Sequence, residues 1–231
     1  MTIVYACILP QSRPDAREAP RTAAAMEAVS RELELYEPEF VIALAAPRTP
    51  RGTIGVSGEA ELRDRVAAEA KKDAVPVDAL RTRDDMLEPM LRDGIEAPTW
   101  LWIMTARLEL RFHFEFGRVL ARALARDERR LAIVCQADLS RTKDARAARS
   151  FDEHFRKAVE ALDVKWLVNA DRELRRRAGE NACAPAAVLF GALGSYRLQP
   201  RVLSNEAGHT DGATYLVAAL DVLGTRRGRK G

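Results

Sequence analysis

Three short polar clusters stand where apolar runs stop, and their residue types limit the chemistry the chain can perform. Pro10-Gln11-Ser12-Arg13 follows the run from Ile3 to Leu9, Ala46-Pro47-Arg48-Thr49-Pro50 follows Phe40 to Ala45, and Gln136-Ala137-Asp138-Leu139-Ser140-Arg141 follows Leu131 to Cys135. In sheet-based folds, functional groups collect at such strand exits, where backbone groups are free and the scaffold is rigid. Arg13, Arg48 and Arg141 would attract a carboxylate or phosphate if they converged on one pocket. The alternative is three solvated arginines in an arginine-rich chain.

Other side chains with chemical potential are fewer. His113 sits in Phe112-His113-Phe114-Glu115-Phe116, where helical geometry puts it beside core residues on one side and solvent on the other, favouring a structural role. His154 lies between Glu153 and Phe155 and is expected to be exposed. His209, in Glu206-Ala207-Gly208-His209-Thr210-Asp211-Gly212, is the remaining histidine with a functional setting, a glycine-flanked loop. No His-x-x-x-His or paired-cysteine spacing points to a new metal site. Cys7, Cys135 and Cys183 match no disulfide framework and read as reduced, buried hydrophobes. Trp100 and Trp102 share one face of a strand and read as core or subunit interface rather than a stacking platform.

The elements that must position these groups alternate between strand and helix. Ile3–Leu9, Phe40–Ala45, Trp100–Met104 and Leu131–Cys135 are apolar throughout, as strands buried on both faces are. Shorter extended pieces are expected at Thr53–Val56, Val75–Leu80 and Tyr196–Leu203. Helical spacing of apolar residues marks Ala23–Tyr36, Glu59–Lys72, Leu108–Ala125 and Phe151–Leu162, with further helices near Asp171–Arg177, Ala186–Leu193 and Ala213–Leu223. The pattern predicts an α/β fold, a central mostly parallel or mixed sheet flanked by helices in a single domain spanning residues 1–223. Residues 224–231, with Arg226, Arg227, Arg229 and Lys230 among glycines, read as a basic flexible tail.

Composition narrows the function classes. Over 231 residues, 37 Lys and Arg against 34 Asp and Glu leave a formal charge of only +3, too weak a field to imply nucleic acid as the partner. The N-terminal apolar run is too short for a membrane span, and no basic segment precedes it as in a signal peptide. A cytoplasmic protein with neither membrane nor nucleic-acid partner is the expectation.

The clusters also agree, in order and spacing, with a known superfamily. Class III extradiol ring-cleavage dioxygenases, of the kind built on the catalytic subunit of protocatechuate 4,5-dioxygenase and including the Memo proteins, open with a strand running into Pro-His-Ser-Pro or Pro-His-Pro-Pro. They continue with Ser-Pro-His-Gly, Ser-Gly-Asp-Leu-Ser-His, and a Glu-Cys-Gly-like segment leading into a Leu-Leu-Gly-Ala-Leu-like helix. This chain resembles them through Pro10-Gln11-Ser12-Arg13, Ala46-Pro47-Arg48-Thr49, Gln136-Ala137-Asp138-Leu139-Ser140-Arg141, and Gly179-Glu180-Asn181-Ala182 followed by Val188-Leu189-Phe190-Gly191-Ala192-Leu193.

The resemblance implies non-haem ferrous iron held by two histidines and a glutamate, with a further histidine as acid/base group. Here the three ligand positions hold Gln11, Arg48 and Glu180, and Arg141 takes the acid/base position beside the retained Asp138 and Ser140. A guanidinium has no lone pair to donate and stays protonated at any working pH, so no iron cofactor is expected. Arg48 is expected to replace the metal's charge by pairing with Glu180, unless it is an ordinary solvated loop residue. The expected function is a metal-free, catalytically degenerate subunit with a structural or regulatory role, partnered by itself or by an active paralogous subunit. One alternative is altered chemistry on a small anionic or aromatic ligand bound by Gln11, Arg13, Arg48, Arg141, Glu180 and His209. Another is iron-dependent ring cleavage with ligands supplied otherwise.

Overall fold

The computed structural model describes residues 2–11, 14–46, 52–80, 99–208 and 212–225. Arg13, Arg48, His209 and the basic residues Arg226 to Lys230 lie outside them. Eight strands form one mixed sheet: β1 (Thr2–Leu9), β2 (Phe40–Ala45), β3 (Ile54–Gly58), β4 (Val77–Ala79), β5 (Thr99–Met104), β6 (Arg130–Gln136), β7 (Tyr196–Ala207) and β8 (Thr214–Thr225). Their spatial order is β4-β3-β5-β2-β6-β1-β8-β7. The central β5, β2, β6 and β1 are mutually parallel, whereas β3 joins β5, and β8 joins both β1 and β7, in antiparallel fashion. Among the described residues seven helices flank the sheet: α1 (Pro20–Tyr36), α2 (Ala60–Lys72), α3 (Leu110–Ala123), α4 (Ala145–Ala161), α5 (Val164–Val168), α6 (Arg172–Ala178) and α7 (Cys183–Ala192).

The period of two along a strand explains why the central strands are apolar throughout. In β2, Val41 and Ala43 face α1, packing with Met26, Val29 and Leu33. Phe40, Ile42 and Leu44 face the other way, into the larger core built with α2 to α7. Helix starts are written locally. Pro20 stands at the first position of α1, and Asp144, Asp163 and Asp171 cap α4, α5 and α6 by accepting the N–H groups of Ala147, Trp166 and Leu174.

α7 is apolar on every side and, apart from the half-buried Ala184, is buried along its whole length. It packs against α3 so closely that a Cβ on Gly117 would sit 2.2 Å from the Val188 carbonyl oxygen, and one on Gly191 would sit 2.1 Å from that of Phe114. This contact locks α7, and the segment entering it, against the sheet.

Two expectations need correction. Ala213–Leu223 is not a closing helix; it belongs to β8, which inserts between β1 and β7. Tyr215–Leu220 is buried on both faces and loses its alternation, and Leu216 and Leu220, with the exposed Leu223, then mimic a helical spacing. In consequence the tail does not begin at residue 224, because Gly224 and Thr225 pair with Arg197 and Tyr196.

Candidate functional site

Because β1, β2, β5 and β6 are parallel, their C-terminal ends share one edge of the sheet, and the loops leaving them meet there. Pairing continues past the strands: Ala137 N–H donates to Leu9 O (2.7 Å) and Thr105 N–H to Ala45 O (2.9 Å). Gln11 then enters a closed ring of hydrogen bonds. Its backbone N–H donates to Asp138 Oδ1 (3.0 Å), and its side-chain carbonyl accepts from Asn181 Nδ2 (3.0 Å). Asn181 Oδ1 in turn accepts the Asp138 N–H (2.8 Å), and the Gln11 amide nitrogen donates to Ala46 O (3.2 Å). The segments after β1, β2 and β6 and the start of α7 are tied together by amide and carboxylate groups.

Glu180 stands next to this ring in sequence but is engaged elsewhere. Its Oε1 accepts from Arg175 Nε at 2.6 Å, and its Oε2 accepts the Cys183 N–H at 2.7 Å, at the first turn of α7. Only 3% of its side chain is exposed, against 24% of Arg175. A carboxylate this buried needs a cation and donors, and α6 and α7 supply both. Among the described residues the cation paired with Glu180 is therefore Arg175, whereas the sequence pointed to Arg48.

The Asp138–Arg141 loop is held from below. Arg141 N–H donates to Ala178 O (2.8 Å), Thr214 N–H to Ser140 O (2.8 Å) and Leu139 N–H to Thr214 O (3.1 Å). Gly179, in the left-handed region at φ 64°, lies under the loop, where a Cβ would approach Arg141 O to 2.6 Å. Ser140 Oγ donates to Asp152 Oδ2 (2.8 Å) and lies 3.2 Å from Thr214 Oγ1, and burial raises the Asp152 carboxyl above its ordinary pKa. Asp138 is almost wholly buried and its Oδ2 accepts from Arg141 Nη2 at 3.3 Å, while the Arg141 side chain is half exposed. Asp138 and Ser140 are thus structural members of this loop.

His113 is fully buried, without the solvent-facing side expected of it. Its Nε2 accepts the Ala106 N–H (3.1 Å) and its Nδ1 faces Glu109 O (3.3 Å), which places the proton on Nδ1. Burial lowers its pKa from 6.5 to about 4. The unfolded chain therefore takes up the proton first as pH falls. The stability His113 contributes is complete above the unfolded value and is lost as pH drops from there toward 4, by up to about 1.4 kcal/mol per pH unit. Urea denaturation between pH 7 and 4.5 should show a shallower acid loss for His113→Gln than for the wild type. Parallel pH profiles would remove this role. His154 is exposed and stacks on Trp166. The three cysteines are free and buried, and burial pushes all three thiols up. Trp100 and Trp102 stack at 5.4 Å, with Trp102 in the α1-side core.

Beside the ring a cavity of about 760 Å³ opens between the loop after β5, the α5–α6 turn and Glu180. Its charged lining is four arginines, Arg107, Arg172, Arg175 and Arg176, against Glu109 and Glu180. None of these arginines was singled out from sequence, and the one signal available was their density in Arg172–Arg177. Asn181 was likewise passed over in favour of its neighbour Glu180. Of the residues expected to form one pocket, the structure joins Gln11 to the Asp138–Arg141 loop. It engages Glu180 separately, and Arg13, Arg48 and His209 lie outside the described residues.

The residues present do not fit the iron centre that the resemblance implies. Both ends of the Gln11 amide and both Glu180 oxygens are committed to protein partners. Among the described residues no group of three or more His, Cys, Asp or Glu side chains is placed to hold a metal ion.

No family model matches the chain, and no curated protein matches it. Among solved structures it is similar in fold to an Escherichia coli K12 protein described as uncharacterized protein JW3007. The TM-score is 0.65 at 15% identity, covering 94% of this chain and 99% of that one. Among the described residues no helix is long and apolar enough to cross a membrane.

Proposed function

We propose that the chain is a metal-free, catalytically degenerate relative of the class III extradiol dioxygenases that serves as a structural or regulatory subunit, paired with itself or with an active paralogous subunit in the cytosol. The observation that carries this reading is the closed ring of Gln11, Asn181 and Asp138 at the shared strand edge. A metal ligand must offer an uncommitted lone pair, and here the groups at the strand exits satisfy one another. Arg141, beside Asp138, stands where the resemblance implies a histidine, and a guanidinium is a poor acid/base group for ring opening. The same bonds splice four chain segments, which suits a rigid scaffold.

Metal analysis and activity assays test the reading together. After incubation with ferrous iron and desalting, the purified chain should retain far less than one equivalent of iron, and it should leave catechol and protocatechuate uncleaved under air. Stoichiometric iron accompanied by ring opening would overturn the proposal. Sedimentation of the purified chain should also reveal a self-associated species, or co-purification with a histidine-complete paralogue. A monomer that binds no such chain would remove the subunit role.

A further inference from the structure

The cavity beside Glu180 combines groups that the structural role of the ring does not need. Its floor is apolar and fixed: Leu110 and Ala170 are buried, and Leu108 and Val168 add further apolar wall. Arg175 closes one side, anchored through Nε to Glu180 yet still partly exposed. Two of the remaining guanidiniums stand apart from the rest of this charged surface. Arg176 is paired with Glu173 and Glu109 with Arg111, whereas Arg107 and Arg172 make no side-chain hydrogen bond or ion pair among the described residues. Asp171, the nearest acid in sequence to Arg172, directs its carboxylate to the Leu174 N–H. The cavity thus keeps a net positive lining, with two forks at its rim that are uncommitted among the described residues and an apolar floor between the β5 loop and α5.

We propose that this cavity binds a small organic monoanion, a carboxylate carrying a short apolar body, with the head on Arg107 and Arg172 and the body against Leu108, Leu110 and Val168. A guanidinium presents paired N–H donors matched to a carboxylate, and a charge-assisted contact of this kind is about twice as strong as a neutral one. The volume lies within the range of small-molecule sites, which are mostly apolar with a few placed polar groups. Glu180 adds a second condition. Its buried charge, already neutralised by Arg175, disfavours a second anionic group deep in the cavity, so the ligand's charge belongs at the rim and its apolar end at the floor. The inference does not depend on whether catalysis has been lost.

Calorimetric titration of the full chain tests it with three probes: hexanoate, hexanol with the same body and no charge, and inorganic phosphate with charge and no body. Hexanoate should bind saturably and at least roughly tenfold more tightly than either control. Arg107→Gln and Arg172→Gln should each weaken hexanoate by roughly tenfold, and, with no side-chain partner to lose among the described residues, should melt with the wild type. Equal binding of hexanol would overturn the charged half of the proposal, and equal binding of phosphate the apolar half. Hexanoate affinity unchanged in both variants, or no saturation at all, would overturn the site. These readouts involve neither iron nor turnover, so a negative result leaves the reading of the strand-edge ring where it stands.

Discussion

Arg175→Met is expected to destabilise the protein by about 3–5 kcal/mol, because it leaves the Glu180 carboxylate buried at the start of α7 without its cation. The pair is asymmetric. Glu180 has a second partner in the Cys183 N–H, so Glu180→Gln keeps an acceptor for that donor and loses mainly the ionic component. Its cost should be much smaller than that of Arg175→Met. With both replaced, the double variant should lie close to Glu180→Gln alone, since the penalty arises from the stranded charge rather than from the missing contact. Urea midpoints of the four proteins make the comparison. Arg175→Met within about 1 kcal/mol of wild type would indicate that water or another cation relieves Glu180. Any such relief would have to come through the cavity, which connects this measurement to the ligand site above.

Gly191→Ala should be comparably severe for a different reason. The added methyl carbon would start 2.1 Å from the Phe114 carbonyl oxygen, and that atom belongs to the α3 backbone rather than to a side chain able to swing away. Accommodation requires the two helices to move apart, opening the packing of α7 along a buried face. A cost of about 3 kcal/mol or more is expected, or a melting temperature lower by roughly 6–12 °C for a domain of this size. Gly117→Ala meets the mirror obstacle, the Val188 carbonyl at 2.2 Å. The control is Gly52→Ala, where no atom lies within 4 Å; it should leave stability nearly unchanged. Equal melting of Gly191→Ala and Gly52→Ala would refute the close approach of α3 and α7.

The two predictions locate what could and could not be read from the residues. The glycine of Phe190-Gly191-Ala192-Leu193 was visible as part of a motif, but its function as a crossing point depends on Gly117, 74 positions earlier, which carries no local mark. Gln11, Asp138 and Ser140 were recognisable as strand-exit residues because apolar runs ended beside them. Their partners were not recognisable. Asn181 and Thr214 reach Gln11 and Ser140 across 170 and 74 positions, and hydrogen bonds spanning such separations leave no periodicity to detect. His113 was expected to have one face toward solvent, and its complete burial follows from how α3 packs against α7 and the loop after β5.

Local pattern by itself determined the α/β alternation, the buried strands β1, β2, β5 and β6, and most of the helices. Those properties depend on side-chain type and on periods of 2 or 3.6 residues, which are carried by neighbours in the chain. Tertiary structure alone decided that residues 214–225 form a strand, since insertion between β1 and β7 buries both faces of Tyr215–Leu220 and overrides a helix-like spacing. It alone decided that Gln11 closes a ring with Asn181 and Asp138, and that Arg107 and Arg172 stand at one cavity. Each depends on which distant segments the sheet order brings into contact, and burial then selects partners by charge and hydrogen-bonding need rather than by proximity in sequence.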